Sequence, residues 1–226
     1  MTFSLRGMQE NDCMPSNNVE TNQSQLEIQL YNTGMDFVAS NNYNNGPCWY
    51  FVKRSFLNKT GLRFKDGYYC EDGTFTMTMF LTCGLVLKTN IETYLYIRHP
   101  ASTTIRKDYN HLIKMLDSFE YAMFYLTRLI EKHQHLMPSA CYERCIERRN
   151  SYTLFYLLRV LRGGMRYRLL KKKLNEFHEK GLYPFQRMKR DYPSRKLGLI
   201  QSIVNNRILF TTICKLRAIT LRRPKQ

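Results

Sequence analysis

Gly67-Tyr68-Tyr69-Cys70-Glu71-Asp72-Gly73-Thr74-Phe75-Thr76-Met77-Thr78-Met79-Phe80-Leu81 sets two adjacent acids directly ahead of a run rich in Phe, Met and Leu. Residues 75–81 are apolar enough for a buried helix, and acids at a helix start satisfy its free N–H groups and favour its macrodipole. Beyond this stretch Val86 and Leu87, then Tyr94 and Tyr96, read as two strands. Before it, Leu26, Ile28 and Leu30 alternate as a strand and residues 35–39 begin a short helix. Asn58-Lys59-Thr60-Gly61 is a turn bracketed by Phe56, Leu57, Leu62 and Phe64. Thr2-Phe3-Ser4-Leu5 alternates as a strand with no lead-in, and the Asn-rich residues 10–24 form an exposed loop. Strands interleaved with helices predict an α/β body.

The pattern changes downstream. From about 108 to 133, Leu112, Met115, Leu116, Phe119, Met123 and Leu126 recur at helical spacing, which predicts a long amphipathic helix ended by Pro138. Residues 142–161, 167–180 and 197–221 read as further helices, broken at Gly163-Gly164, at 181–184 and at 192–194. The chain thus divides into a body over 1–108, a helical extension over 109–150 and an all-helical tail over 151–226.

Charge follows the same division. The chain has 226 residues and a formal net charge of +17. Residues 151–226 hold 19 Lys or Arg against the three acids Glu176, Glu179 and Asp191, so nearly all of the excess lies in the tail. Such asymmetry implies a polyanionic neighbour for the tail alone, either an anionic membrane surface or nucleic acid. Arg159, Arg162, Arg166, Arg168 and Lys171 to Lys173 are interleaved with Leu157, Leu158, Leu161, Leu169 and Leu170, the pattern of a basic amphipathic helix lying on a membrane. No run approaches the ~18 apolar residues of a spanning helix, and the N-terminus lacks the order of a signal peptide. Seven scattered cysteines fit reduced thiols. The expected location is cytoplasmic, peripheral on the inner face of the cytoplasmic membrane.

Four segments in order carry a resemblance: Trp49-Tyr50-Phe51-Val52-Lys53-Arg54, Gly61-Leu62-Arg63-Phe64, Gly67 to Phe75, and Tyr94-Leu95-Tyr96-Ile97-Arg98-His99-Pro100-Ala101-Ser102. This series is similar to the second, acceptor-side half of the GT-A catalytic domain in family 2 glycosyltransferases, and it covers roughly residues 25–115. The resemblance implies a partial GT-A (nucleotide-diphospho-sugar transferase-like) body in front of the basic helical tail. It also implies sugar transfer from a nucleotide-sugar donor to a glycan or lipid-linked acceptor in bacterial surface polysaccharide assembly.

The same resemblance distributes roles. Asp72 would be the general base that takes the acceptor hydroxyl proton as it attacks the anomeric carbon, with Glu71 binding acceptor hydroxyls or orienting the loop. Arg98, His99 and Ser102 would form the basic loop over the donor diphosphate, with His99 reaching the phosphates or a divalent metal, Mg²⁺ or Mn²⁺. Trp49 and Tyr50 offer a flat face for a sugar or base, although a buried core tryptophan fits the same residues. His133, His135, Cys141 and Cys145 have zinc-ligand chemistry, but their spacing matches no common zinc module.

No Asp-x-Asp, the family's metal and diphosphate motif, occurs in this sequence. The expectation is therefore a truncated or split transferase, inactive alone; in the split case the donor half would lie on a separate chain. The alternatives from other classes are a non-catalytic interaction protein and a nucleic-acid-binding protein acting through the basic tail.

Overall fold

A computed structural model describes residues 2–9, 26–98, 108–163, 165–189 and 194–222. For residues 2–9, 92, 93, 95–98, 163 and 218–222 it gives only the backbone path. In chain order the elements are strand β1 (Thr2–Gln9), strand β2 (Ile28–Tyr31), helix α1 (Gly34–Ser40), helix α2 (Arg54–Thr60), helix α3 (Glu71–Thr82) and strand β3 (Val86–Arg98). Helices α4 (Tyr109–His133), α5 (Ser139–Gly163), α6 (Tyr167–Glu179), α7 (Arg195–Asn205) and α8 (Arg207–Arg222) follow.

The α/β GT-A body followed by a separate helical tail is overturned. Eight α-helices among the described residues dominate, and the only described sheet is small, with β2 antiparallel and β1 parallel to a central β3. A parallel-type α/β sheet is covered on both faces by crossover helices. This one is not, since Ile28 and Leu30 are 57% and 61% exposed and Ile91 and Tyr94 are also exposed. The stabilising burial lies elsewhere: a single hydrophobic core runs from Phe37 and Val38 through α3, α4 and α5 to Phe177, Val204 and Phe210. Helix α5 passes unbroken through position 150, where the charge balance changes.

Local differences have local causes. The two strands expected at 86–87 and 94–96 are one strand, β3, because the polar Lys88-Thr89-Asn90 continues in extended pairing with β2 and β1. Residues 54–60 form a helix that takes in Asn58 to Thr60 of the expected turn, and Gly61 ends it with φ 66°, a left-handed conformation that favours glycine. The helix expected over 197–221 is broken at Asn206, which leaves helical dihedrals and accepts the Leu209 N–H on its side chain at 3.0 Å. Helix α1 starts with a reciprocal capping box between Thr33 and Asp36, and α4 starts with Asp108 accepting the His111 N–H at 2.9 Å.

The tail is part of this core. Leu157, Leu170, Leu174 and Phe177 are fully buried, and Phe177 packs edge-to-face on Tyr156 with ring centroids 5.0 Å apart. Lys173 ties α6 to α4 through Glu120 at 2.5 Å, and Lys180 lies over the Phe124 ring. The cations Arg162, Arg166, Arg168, Lys171 and Lys172 are exposed. The leucines proposed for a bilayer thus mostly face the protein interior; Leu169 is exposed, while Leu158 and Leu161 are half-buried.

Candidate functional site

Glu71 and Asp72 occupy the first turn of α3, after Cys70, which makes no side-chain cap. Asp72 is half-buried and accepts the adjacent Gly73 N–H on Oδ1 at 2.7 Å. Burial raises its carboxyl above the ordinary aspartate value, and backbone N–H groups offset that only in part. No cation pairs with it among the described residues. A desolvated carboxylate without a counter-ion costs stability and, held beside other polar groups, is a mark of functional sites.

Helix α5 closes over this turn. A Cβ on Gly73 would lie 1.8 Å from the Tyr152 hydroxyl, so only glycine lets Tyr152 reach the start of α3. Asn45 Nδ2 donates to the Tyr152 hydroxyl at 3.4 Å, while the Asn45 carbonyl accepts from Thr76 Oγ1 at 2.8 Å. The Thr76 hydroxyl proton is committed to that carbonyl. Tyr50, whose hydroxyl lies 2.8 Å from Thr76 Oγ1, is therefore the donor in their bond. Arg148 of α5 completes the network by donating to Asn42 Oδ1 at 2.6 Å and to the Tyr43 carbonyl, and its guanidinium lies 4.5 Å from the Tyr43 ring centre. Residues 41–50 are thereby fastened to α3 on one side and α5 on the other.

The acidic turn also raises its neighbours. Burial, with the charges of Asp72 and Glu71 adding to it, pushes the Cys70 thiol up to about 12. Burial likewise lifts the Tyr50 phenol to about 12, with Asp72 a smaller contributor. Both groups are neutral near pH 7, so Cys70 is not a thiolate nucleophile and Tyr50 remains a hydrogen-bond donor.

The sequence-derived residues separate into three groups. Asp72, Glu71 and Tyr50 belong to one neighbourhood. Trp49 is 6% exposed and packs among Phe37, Tyr43 and Phe80, with ring centroids 6.4, 6.3 and 6.0 Å away, so it supports the aromatic core and offers no open sugar platform. Its indole N–H has no hydrogen-bond partner among the described residues. Arg98 ends β3 opposite Gln9, and only its backbone is described. His99 and Ser102 lie outside the described residues. Among the described residues no three His, Cys, Asp or Glu side chains converge, so no described set fits the divalent metal that the resemblance implies. Cys141 and Cys145 are both fully buried on α5.

Tyr152, Thr76 and Arg148 are the participants that the sequence reading missed. Gly73, directly behind the acids in a helix's first turn, is the one local sign of a close approach by another element. Against known protein families, curated proteins and solved structures, the chain shows no match.

Proposed function

We propose that this chain supplies the acceptor side of an inverting sugar transfer in surface polysaccharide assembly, with Asp72 as general base and Glu71 beside it for acceptor hydroxyls. The observation that carries the reading is the Asp72 carboxylate, desolvated, unpaired with any cation among the described residues and raised toward stronger basicity at the head of a buried helix. A general base needs a carboxylate ionised near pH 7 whose proton affinity exceeds that of an ordinary surface aspartate, and burial provides it. The ordered motifs of residues 49–102 supply the substrate class. The proposal covers the acceptor and base roles, because the sequence contains no Asp-x-Asp to hold a nucleotide-sugar diphosphate and metal. Those roles would fall to a donor-binding partner.

An anionic membrane surface is the proposed setting. Among the described residues no helix is long and apolar enough to cross a bilayer. Contact would rest on the exposed cations of α6 and its neighbours, since Leu170 and Leu174 of that helix serve the core.

The test is transfer with a donor half restored in cis. Fused behind the donor-binding half of a family 2 glycosyltransferase, the chain is expected to transfer sugar, and Asp72→Asn to lower the rate by about 10²- to 10⁴-fold. Donor affinity, measured by calorimetry, should not change. Activity within a few-fold of the parent would remove Asp72 from the chemistry.

A further inference from the structure

On a different face of α5 from Arg148 and Tyr152, Tyr142, Ile146 and Arg149 fall at positions i, i+4 and i+7. They line a cavity of about 360 Å³ whose far wall is Gly181, Pro184, Phe185 and Gln186. That wall is pinned: Asn205 of α7 accepts the Phe185 N–H at 3.1 Å and donates to the Phe185 carbonyl at 2.8 Å. Gln186 is held from the α5 side by Asn150, which is 1% exposed and donates to the Gln186 carbonyl at 3.3 Å.

Asn150 also fixes the charge in the cavity. Its Oδ1 accepts from Arg149 Nε at 3.4 Å and from one terminal nitrogen at 3.0 Å. The other terminal amino group has no hydrogen-bond partner, and no carboxylate pairs with this guanidinium among the described residues. Burial lowers the Arg149 pKa, and the charges of Tyr142 and Glu131 offset that only in part. A guanidinium oriented by a buried amide, lining a pre-formed pocket and in ion-pair contact with no carboxylate among the described residues, is arranged to receive an anion through its two-pronged fork.

We propose that this cavity is a binding site for a small phosphate monoester, with the phosphate on Arg149 and the attached ring between Tyr142 and Phe185. The volume falls at the small end of the ~300–1,000 Å³ range of ligand pockets, which suits a single ring with its phosphate. The chain's net charge of +17 would raise the local concentration of such an anion. The site is independent of Asp72 and of the transfer reaction.

Calorimetry on the full chain at physiological salt tests it, with phenyl phosphate, inorganic phosphate and phosphatidic acid in phosphatidylcholine vesicles as probes. Phenyl phosphate should bind the parent, and Arg149→Met should weaken it by about tenfold or more, the usual loss for a hydrogen bond to a charged group. Tyr142→Ala should weaken phenyl phosphate and leave inorganic phosphate unchanged, because only the ring is lost. The double substitution Lys171→Gln with Lys172→Gln removes exposed charge elsewhere and should leave phenyl phosphate affinity within twofold. Should Arg149→Met not fold, Arg149→Lys keeps the charge without the fork and should still lose severalfold. Arg149-dependent binding of the soluble esters assigns a free ligand, and Arg149-dependent vesicle binding assigns a lipid headgroup. Equal phenyl phosphate affinity in parent and Arg149→Met, or no Arg149-dependent binding of any probe, would overturn the site.

Discussion

The start of α3 and the length of α6 place their polarity in opposite ways. At α3 a carboxylate, two tyrosines, an asparagine and a threonine are drawn inward, and hydrogen bonds join all of these but the carboxylate, one of them between Asn45 and Tyr152, 107 residues apart in sequence. Along α6 Leu170, Leu174 and Phe177 go inward and most of the cations outward, with Lys173 tethered to α4. The first arrangement costs stability unless each polar group is satisfied, and Asp72 is satisfied only by backbone N–H groups. The second gains stability from burial and leaves its charge available at little cost. The more unusual composition therefore belongs to the region that does the ordinary structural work, while the near-neutral region holds the polar groups that need a functional explanation.

The sharpest way to break this contrast is to remove an α6 leucine. Leu170→Ala is expected to cost about 2–5 kcal/mol in urea unfolding, because the side chain is fully buried in the shared core. Leu169→Ala, at a neighbouring exposed position, should stay within about 0.5 kcal/mol of the parent. Comparable small effects at both positions would mean that α6 presents its leucines to another surface and not to α4 and α5.

A smaller effect, with a more informative sign, is expected at Gly73. Replacing a glycine inside a helix by alanine ordinarily gains about 1 kcal/mol. Here the added Cβ meets the Tyr152 hydroxyl, so Gly73→Ala should instead cost about 1–3 kcal/mol, as overpacking does. Tyr152→Phe removes the clashing oxygen and should recover part of the loss in the double variant. Strict additivity of the two changes would show that Tyr152 does not rest on the acidic turn.

The helical half was legible because its signal is local. Leu112, Met115, Leu116, Phe119, Met123 and Leu126 repeat along one face, and α4 runs over Tyr109–His133. Helix α2 was missed because none of its residues is buried, which leaves no apolar stripe to read. The strands misled for a different reason: alternation at 26–30 and 86–96 is real, but it does not say whether helices will cover the sheet, and here Ile28, Leu30, Ile91 and Tyr94 stay exposed while Val86 joins the core. Trp49 and Tyr50 carry the same residue types whether they serve a core or a sugar, and only the positions of Phe37, Tyr43 and Phe80 decide that Trp49 is core. The site's missed members come from long-range contacts. Nothing near Glu71 and Asp72 announces Tyr152, except the glycine that makes room for it.

The smallest expected effect separates the two roles available to Asp72. If its charge served mainly to cap α3, folding would lower its pKa, and Asp72→Asn would cost stability above pH 4. Burial instead raises the folded-state pKa above the unfolded value of 3.8, so the ionised form is the one disfavoured by folding. Below the unfolded value Asp72 is protonated in both states and contributes no penalty. As pH rises through the folded-state value, the folded protein must ionise a desolvated group, and that stability is lost. Asp72→Asn is therefore expected to melt near the parent's temperature at pH 3 and slightly above it at pH 7, with the gap opening between those limits. Thermal unfolding across that range measures the difference directly. A variant less stable at pH 7 than at pH 3, relative to the parent, would return Asp72 to the role of a helix cap. A gap of the expected sign would mean that the carboxylate persists at a cost to the fold, as activity trades against stability in functional sites.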